Sequence, residues 1–464
     1  MRTIGIDLGL EASHKAVVAD EQGNRLAPVR HLDTDPVDLE RLLQWARQGV
    51  AGNAPVRAVM EPTGLVWLPV ASYLVQRGVT VYLVKTQQTS DLRKFYRKHA
   101  KSDRISAEVL VRLPWVNPEA LHPLHLADAE AFSGQRWCKQ QDHLAELITA
   151  TQNRVQAWER ALWPGLEQAV GDLFAPWVRR WRAAWYDPWQ LQAADPRDLA
   201  RFLAEAGADP AQVERLADAL QAVARRAVSL FGTPQGGHSP YVDYATVQEQ
   251  VLRELRLLAM YEAEHHAVQG QVRTLYRQRH PRRDLESLRG VGEAGAAVYV
   301  FFVGDVERFA AQKAFRGWSG LVPESDQSGE VDKKGLRITK AGPDLVKKYA
   351  YLNAEVARQW DPQIAAIYYD QMVHKGQHHV QAVCACATHL LDRVRAVLRD
   401  GRPYELCDVD GTPVTWQRAR AIIAERYTVP EEVRRRNSHR ARQARRDQRA
   451  EKKQRRSRPE VVRG

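Results

Sequence analysis

The sequence predicts an α/β domain at the N-terminus, a long helical middle, a mainly α third unit and a basic tail without fixed structure. Three observations predict this. A strand, a hairpin and a carboxylate at a strand tip open the chain over residues 1–20. Strand patterns nearly vanish between Leu121 and Arg283, and residues 434–463 carry almost nothing apolar. At 464 residues the chain can fill two or three separate cores, so several domains are expected.

The elements follow in order. Thr3-Ile4-Gly5-Ile6-Asp7 alternates β-branched with small residues and ends on an acid. A link containing Gly9 leads to the second run, Lys15-Ala16-Val17-Val18-Ala19, and Asp20-Glu21-Gln22-Gly23-Asn24 is the turn into a third strand. Asp35 caps a helix with Pro36 in its first turn and apolar spacings of three and four through Leu39, Leu42, Leu43 and Ala46. Val56–Glu61 is a strand whose tip is again a carboxylate, broken by Pro62 and Gly64. Val66–Arg77 returns as a helix, Val79–Val84 is a further strand, and a basic helical stretch runs from Thr89 to about Leu113. Three strands, helix, strand, helix, strand, helix is the order of an RNase H-like domain, expected over residues 1–115. The opening alone also fits an actin-like ATPase, but such a protein should show a later Gly-rich adenosine loop, and the sequence has none.

Residues 116–283 are expected to form a helical arm or coiled coil suited to assembly. Val251, Leu252, Leu255 and Leu258, then Val268, Val272 and Leu275, predict one long amphipathic helix ending near His280-Pro281. Trp158, Trp163, Trp177, Trp181, Trp185 and Trp189 are expected in a core rather than on a base-stacking platform. The third unit is expected over 284–400. It opens with Gly290-Val291-Gly292 between apolar helical segments, which fits a helix-hairpin-helix turn whose backbone N–H groups can hold a phosphate; a simple inter-helix turn is the other reading. Residues 401–464 form a basic extension.

Composition narrows the class of protein. Hydrophobic residues make up 44% of the chain, ordinary globular usage. No apolar run reaches the ~18 residues of a membrane span, and Met1-Arg2-Thr3 enters a strand with no signal-peptide core, so a cytoplasmic protein is expected. Cys138, Cys384, Cys386 and Cys407 lack the spacing of a disulfide framework or a zinc site and are expected as buried thiols. His374, His378 and His379 flank Gly376 in what is expected to be a polar loop rather than a metal cluster. Of the net charge of +12, residues 431–464 supply +9, with fourteen Lys or Arg against five Asp or Glu. Such an arm binds phosphate backbones through counterion release, with a solubilising tail as the alternative.

In an RNase H-like domain the strand tips bearing Asp7 and Glu61 lie side by side, and the last helix brings a further acid, here within Lys101-Ser102-Asp103-Arg104-Ile105-Ser106-Ala107-Glu108. Clustered oxygens of this kind suit Mg²⁺ or Mn²⁺ bridging a phosphate. The separate reading of each acid is structural: Asp7 as a turn cap, Asp103 as a solvated ion pair with its basic neighbours. Further on, a polar loop, Ser325-Asp326-Gln327-Ser328-Gly329-Glu330, precedes Lys333, Lys334, Arg337 and Lys340. A loop serine beside such cations has the makings of a nucleophile toward a phosphodiester, although Ser-Gly pairs are commonplace in loops.

Ile4-Gly5-Ile6-Asp7, Met60-Glu61-Pro62-Thr63-Gly64, Lys101-Ser102-Asp103, Gly290-Val291-Gly292, Gly320-Leu321-Val322-Pro323, Ser328-Gly329 and Arg337-Ile338-Thr339-Lys340-Ala341-Gly342 together resemble the DEDD-type insertion-sequence transposases. The resemblance covers both ends of the chain in the right order. It implies a RuvC-like N-terminal domain joined through a coiled coil to a C-terminal transposase domain with a catalytic serine. It further implies an RNA-guided DNA recombinase, in which a structured bridge RNA pairs with donor and target DNA. Asp7, Glu61 and Asp103 would hold Mg²⁺ or Mn²⁺, Ser328 would join covalently to DNA, and Gly290, Gly292, Lys333, Lys334, Arg337 and Lys340 would touch nucleic acid. A dimer or tetramer would build a composite site from different protomers, in the cytosol of a bacterium or archaeon, at the nucleoid. The family's fourth acid falls at Ser106, and Glu108, two residues on, points elsewhere on a regular helix. A catalytically impaired nucleic-acid-binding descendant and a metal-dependent junction nuclease are the competing readings.

Overall fold

The computed structural model of the chain describes residues 1–51, 54–84, 89–90, 92, 103–233, 238–322, 327–328, 331–332, 338–339 and 342–457; at 103–106, 120, 327–328, 331–332, 445 and 448–457 it describes the backbone alone. It divides into two compact units, Met1–Ala127 and Asp128–Gly464.

The first unit is built on strands β1 (Arg2–Asp7), β2 (His14–Ala19), β3 (Arg30–Leu32), β4 (Val56–Met60) and β5 (Thr80–Leu83), with helices α1 (Pro36–Arg47), α2 (Trp67–Gln76) and α3 (Asp103–Leu110). The strand order is β3-β2-β1-β4-β5. The hairpin strands are antiparallel, and β1, β4 and β5 are parallel, joined by helical crossovers. The alternation read in the sequence decides the layers. Ile4, Ile6, Ala16, Val18, Ala58 and Met60 face α1 and α2 through Leu39, Leu43, Val70 and Leu74. Val17, Ala19 and Val59 face the opposite way, against Ala107, Val109, Leu110 and Val111 of and just beyond α3. The helix starts are chemically explicit: the Asp35 carboxylate accepts the Val37 N–H at 2.8 Å, as expected of that cap.

In the second unit, α4 (Ala129–Leu162) and α7 (Tyr244–Arg279) run antiparallel along each other, fixed at three levels. Arg279 meets Asp128 at 2.7 Å, Arg154 meets Glu254 at 2.8 Å, and the Tyr244 hydroxyl donates to the Leu162 carbonyl at 3.0 Å. The long helix read from Val251 to Leu275 therefore exists and ends where His280-Pro281 predicted. Between them the chain makes a small helical module that includes α5 (Pro176–Ala184) and α6 (Val213–Phe231). Its core holds Trp163 and Trp181 fully buried, packs Trp177, Trp185 and Trp189 at its edge, and takes in Leu162, Val251, Leu255 and Leu258 from the hairpin. Trp158 departs from the core expectation, at 46% exposure.

The other end of the hairpin joins a larger core through Cys138, Leu144, Val268, Val272 and Tyr276. That core is wrapped by α8 (Glu293–Val303), α9 (Gln312–Ser319), α10 (Asp344–Ala357), α11 (Pro362–Tyr369) and α12 (His379–Asp400), followed by α13 (Trp416–Arg426) and α14 (Glu431–Ser457). All four cysteines are free, and burial pushes the Cys138 and Cys386 thiols up to about 12. His378 caps α12, and the His379 ring lies 2.8 Å from the Tyr368 hydroxyl.

The tail is where the expectation of disorder has to be corrected. Residues 401–430 are ordered, and α14 continues as helix to Ser457. Val429 is buried, Val433 packs on the same core, and the Asn437 amide donates to the carbonyls of Met372 at 2.8 Å and Gln377 at 2.9 Å. A hydrophobic inventory counts none of these polar anchors, which is why composition alone reads as disorder. Residues 458–464 lie outside the described residues.

Candidate active site

β1 and β4 pair in a constant register, Ile4 with Ala58 and Ile6 with Met60. The next step along that register is Asp7 and Glu61, on neighbouring strands about 4.8 Å apart. Both are half-buried at the C-terminal edge of the sheet, where open α/β sheets place their ligands.

The third acid arrives from α3, and the course of that helix is set by Gly5. A Cβ there would lie 2.5 Å from the Ala107 carbonyl oxygen and 2.9 Å from Val111, so only glycine lets the helix backbone rest on β1. Farther down, Trp115 packs over Gly23 and under the Arg57 guanidinium, which belongs to the residue paired with Thr3. The segment therefore runs antiparallel to β1. One turn back from Ala107 is Asp103, the first residue of α3, toward the edge that carries Asp7 and Glu61. The backbone thus brings the three predicted acids to one edge. Ser106 holds the fourth position, and Glu108 is engaged by Arg25 at 2.5 Å on the hairpin side, away from Glu61.

One residue that the sequence reading missed supports this edge. His14 is 4% exposed; its Nδ1 accepts the Gly9 N–H at 3.1 Å and its Nε2 lies 2.8 Å from the Thr34 hydroxyl, closing the link directly after Asp7. A polar residue at the head of an otherwise apolar strand was the available signal. Burial holds the His14 imidazole below its ordinary pKa. The folded state therefore binds fewer protons than the unfolded one, and the contribution of this contact is present above the ordinary histidine range and lost as pH falls through it. Between pH 7.5 and 5.5 the unfolding midpoint is expected to drop more for wild type than for His14→Gln; equal drops would remove His14 from this role.

The donor set at the edge, carboxylates alone, fits a hard divalent cation. Among the described side chains no group of three His, Cys, Asp or Glu is gathered tightly enough to hold a metal, and the Asp103 side chain lies outside them.

The other predicted site residues belong to the second unit. Gly290 adopts φ +91° and presses on α10, where a Cβ would lie 2.4 Å from the Asn353 carbonyl oxygen; Gly292 caps α8. The helix expected ahead of this turn is only a 3-10 turn, Asp284–Ser287. Ser328 lies in a two-residue strand pairing with Val331, so a short antiparallel ribbon stands where a loop was expected. The ribbon's stems are tied by the Thr339 N–H, which donates to the Val322 carbonyl at 2.9 Å. Lys333, Lys334, Arg337 and Lys340 lie outside the described residues.

A mixed five-stranded sheet with acids at the exit of β1 and β4, followed by a helical remainder, fits an RNase H-like, nuclease-type domain. Comparison with known proteins makes this particular. Residues 4–164 match the DEDD model of the IS110 type, described as "Transposase", and residues 282–369 match the model described as "Transposase IS116/IS110/IS902 family". The chain belongs to the DEDD-type insertion-sequence transposases and is thus a DNA-recombining enzyme. A DEDD transposase domain implies an RNase H-like fold, to which the five-stranded order corresponds. Over 409 residues the chain is 26% identical to the "Insertion element IS110 uncharacterized 43.6 kDa protein" of Streptomyces coelicolor, covering 87% of this chain and 95% of that one. It is 24% identical over 411 residues to the "Insertion element IS900 uncharacterized 42 kDa protein" of Mycobacterium paratuberculosis, covering 86% and 96%. Among the described residues no helix is long and apolar enough to cross a membrane.

Proposed function

We propose that this transposase cuts and rejoins DNA through a covalent Ser328–DNA intermediate, with Asp7, Glu61 and Asp103 holding Mg²⁺ or Mn²⁺. The observation that carries the reading is the shared sheet edge of those acids, two of them adjacent in register. A divalent cation bound there would supply charge neutralisation at the reacting phosphate. The carboxylates hold it and set its position. Ser328 forms an Oγ–phosphorus bond as the phosphorus–oxygen bond to the leaving sugar breaks, and that oxygen leaves with a proton. Attack by a second strand's sugar hydroxyl reverses the step and returns the serine, so the phosphodiester is conserved and no ATP is needed. Gly290, Gly292, Lys333, Lys334, Arg337 and Lys340 contact the nucleic acid backbone. A structured guide RNA selects the DNA, the working enzyme is a homo-oligomer, and it acts in the cytoplasm. What supports these finer points is the motif order shared with the family.

The test is a cleavage assay on element-end DNA with its cognate noncoding RNA and Mg²⁺, resolved on a denaturing gel. Wild type is expected to give a protein–DNA adduct that both Ser328→Ala and Asp7→Asn abolish. Nicking that survives Ser328→Ala would identify a metal-only nuclease. Binding without any nick or adduct would favour the impaired descendant, the reading that Ser106 in place of an acid motivates.

A further inference from the structure

The second unit carries an aromatic seam that the active-site reading leaves unused. One side of α13 is docked: Ala419 and Ile422 are buried, and Arg426 meets Asp408 at 3.3 Å. At 100° per residue, Trp416, Arg420 and Tyr427 share another strip of the helix, within about 40° of one another and about 110° around from the docked side. Each of the three meets an aromatic ring of residues 360–369. The Trp416 ring lies 6.3 Å from that of Trp360, the Arg420 guanidinium sits over the Trp360 ring at 4.8 Å, and the Tyr427 ring lies 6.1 Å from that of Tyr369. A single wide π turn, Asp370–His374, follows α11 and sets the His374 ring 5.6 Å from Tyr369.

These rings stay at the surface. Trp416 is 45% exposed, Arg420 and His374 are exposed, and Trp360, Tyr369 and Tyr427 are half-buried. Apolar side chains alone would seal such a seam, yet a cation stands among the rings. Among the described residues no carboxylate holds Arg420, and the one acid of α13, Glu425, falls about 160° around from the strip. The acids next to Trp360 and Tyr369 in the chain are both taken: Asp361 is buried and accepts from the Tyr404 hydroxyl at 3.0 Å, and Asp370 is held by Lys375 at 2.6 Å. A contiguous patch of rings with an available guanidinium marks an interaction surface, which single exposed apolar residues do not.

We infer that this seam stacks the unpaired bases of single-stranded DNA, with Trp416 as the main platform. Every base has a π face that rests on a Trp or Tyr ring whatever its sequence, and a guanidinium beside the ring adds attraction for both base and phosphate. Bases within a duplex are already stacked on one another and do not reach such rings, so the occupant is a single strand. DNA is the polymer because a DNA-recombining enzyme parts strands before joining them to new partners, which frees bases in its own reaction. The inference rests on the family for that point, and on neither Ser328 nor the acids of the first unit. From Trp416 to Tyr427 the strip is about 16 Å long at 1.5 Å per residue, enough for about four or five nucleotides at the ~3.4 Å spacing of a stacked strand.

The experiment is equilibrium binding of the full-length protein, without guide RNA or metal, to a labelled oligothymidylate of about 20 nucleotides, an abasic strand of the same length, a duplex and an oligouridylate. The abasic strand keeps the phosphates and removes the bases, so it separates stacking from charge. Wild type is expected to bind oligothymidylate more tightly than the abasic strand. Trp416→Ala is expected to weaken oligothymidylate binding about 5- to 100-fold, to leave the abasic strand and the duplex unchanged, and to keep the circular dichroism spectrum, since the Thr415 hydroxyl still caps α13. Trp416→Phe, which retains a ring, is expected to recover most of the loss. Equal wild-type affinity for the abasic strand overturns the proposal, and so does a Trp416→Ala loss that is absent or is equal on duplex. A loss confined to oligouridylate would assign the seam to RNA and overturn it. A changed sedimentation coefficient in Trp416→Ala with unchanged strand affinity would assign the rings to contact between copies of the chain and overturn it as well. Nothing is cut in this assay, so Ser328→Ala and Asp7→Asn are expected to bind as wild type does, and the outcome is independent of the proposed chemistry.

Discussion

Glu159→Ala is expected to cost the second unit about 3–5 kcal/mol. Glu159 and Arg182 are 1% and 0% exposed, joined by two hydrogen bonds of 2.5 and 2.7 Å between α4 and α5. The surroundings are aromatic: Trp163 and Trp181 stand edge to face at 5.3 Å, Tyr186 is tilted against both, and Phe174 lies beneath the guanidinium at 5.7 Å. Neither side chain reaches the surface, so truncating the acid leaves the desolvation cost of the Arg182 cation in the core. The same burial, with Glu159 close by, drives the Tyr186 hydroxyl far above its ordinary pKa. Urea unfolding monitored by tryptophan fluorescence reads the effect directly. The double variant Glu159→Met/Arg182→Leu should recover most of the loss, since two apolar chains replace a pair that itself was costly to bury. A single-variant loss below about 1 kcal/mol would show that water enters the cluster after all.

Gly5→Ala is expected to reduce DNA cleavage about 100-fold while the first unit stays folded. The added methyl group meets backbone, the Ala107 carbonyl oxygen at 2.5 Å, and backbone cannot rotate away as a side-chain tip can. To restore ordinary contact α3 must lift from β1 by about an ångström, and Asp103 travels with it relative to Asp7 and Glu61. A misplacement of that size in a catalytic constellation is worth roughly two orders of magnitude in rate. The comparison with Asp7→Asn in the element-end assay is informative: similar losses, with Gly5→Ala retaining its circular dichroism spectrum, tie the packing of α3 to the chemistry. Cleavage at the wild-type rate would mean that the site tolerates movement of the helix, and that Asp103 has no part in it.

These two residues also mark what was and was not legible in the chain. β1 and β4 announced themselves through Ile4, Ile6, Val56 and Val59, because strands covered on both faces read as short, nearly continuous apolar and β-branched runs. Asp7 and Glu61 followed from that register at once. The same holds for the helix through Val251 to Leu275 and for the tryptophan core. What could not be read depends on partners distant in sequence. Gly5 looks like a small residue in a strand until α3, a hundred residues on, is laid over it. Arg182 and Glu159 are ordinary surface letters of two helices until the helices cross. Asn437 orders a tail that composition assigns to solvent by finding two carbonyls more than fifty residues earlier. Local periodicity records which face is buried and carries no record of what covers it.

The antiparallel pairing of α4 with α7 bears on how the chain finds this arrangement. Asp128 and Arg279 are separated by 151 residues in sequence, and closing so long a loop directly would be entropically costly. The helical module between them removes most of that cost. Once its tryptophan core has formed, Leu162 and Tyr244 are already within 3.0 Å of each other, and the two long helices need only zip from that joint toward Asp128. The effective contact order of the hairpin is then that of a short turn. The module is thus expected to form ahead of the arm, so that a lesion inside it, such as the loss of Glu159, slows refolding of the core that carries the Ser328 ribbon, as stopped-flow fluorescence would read.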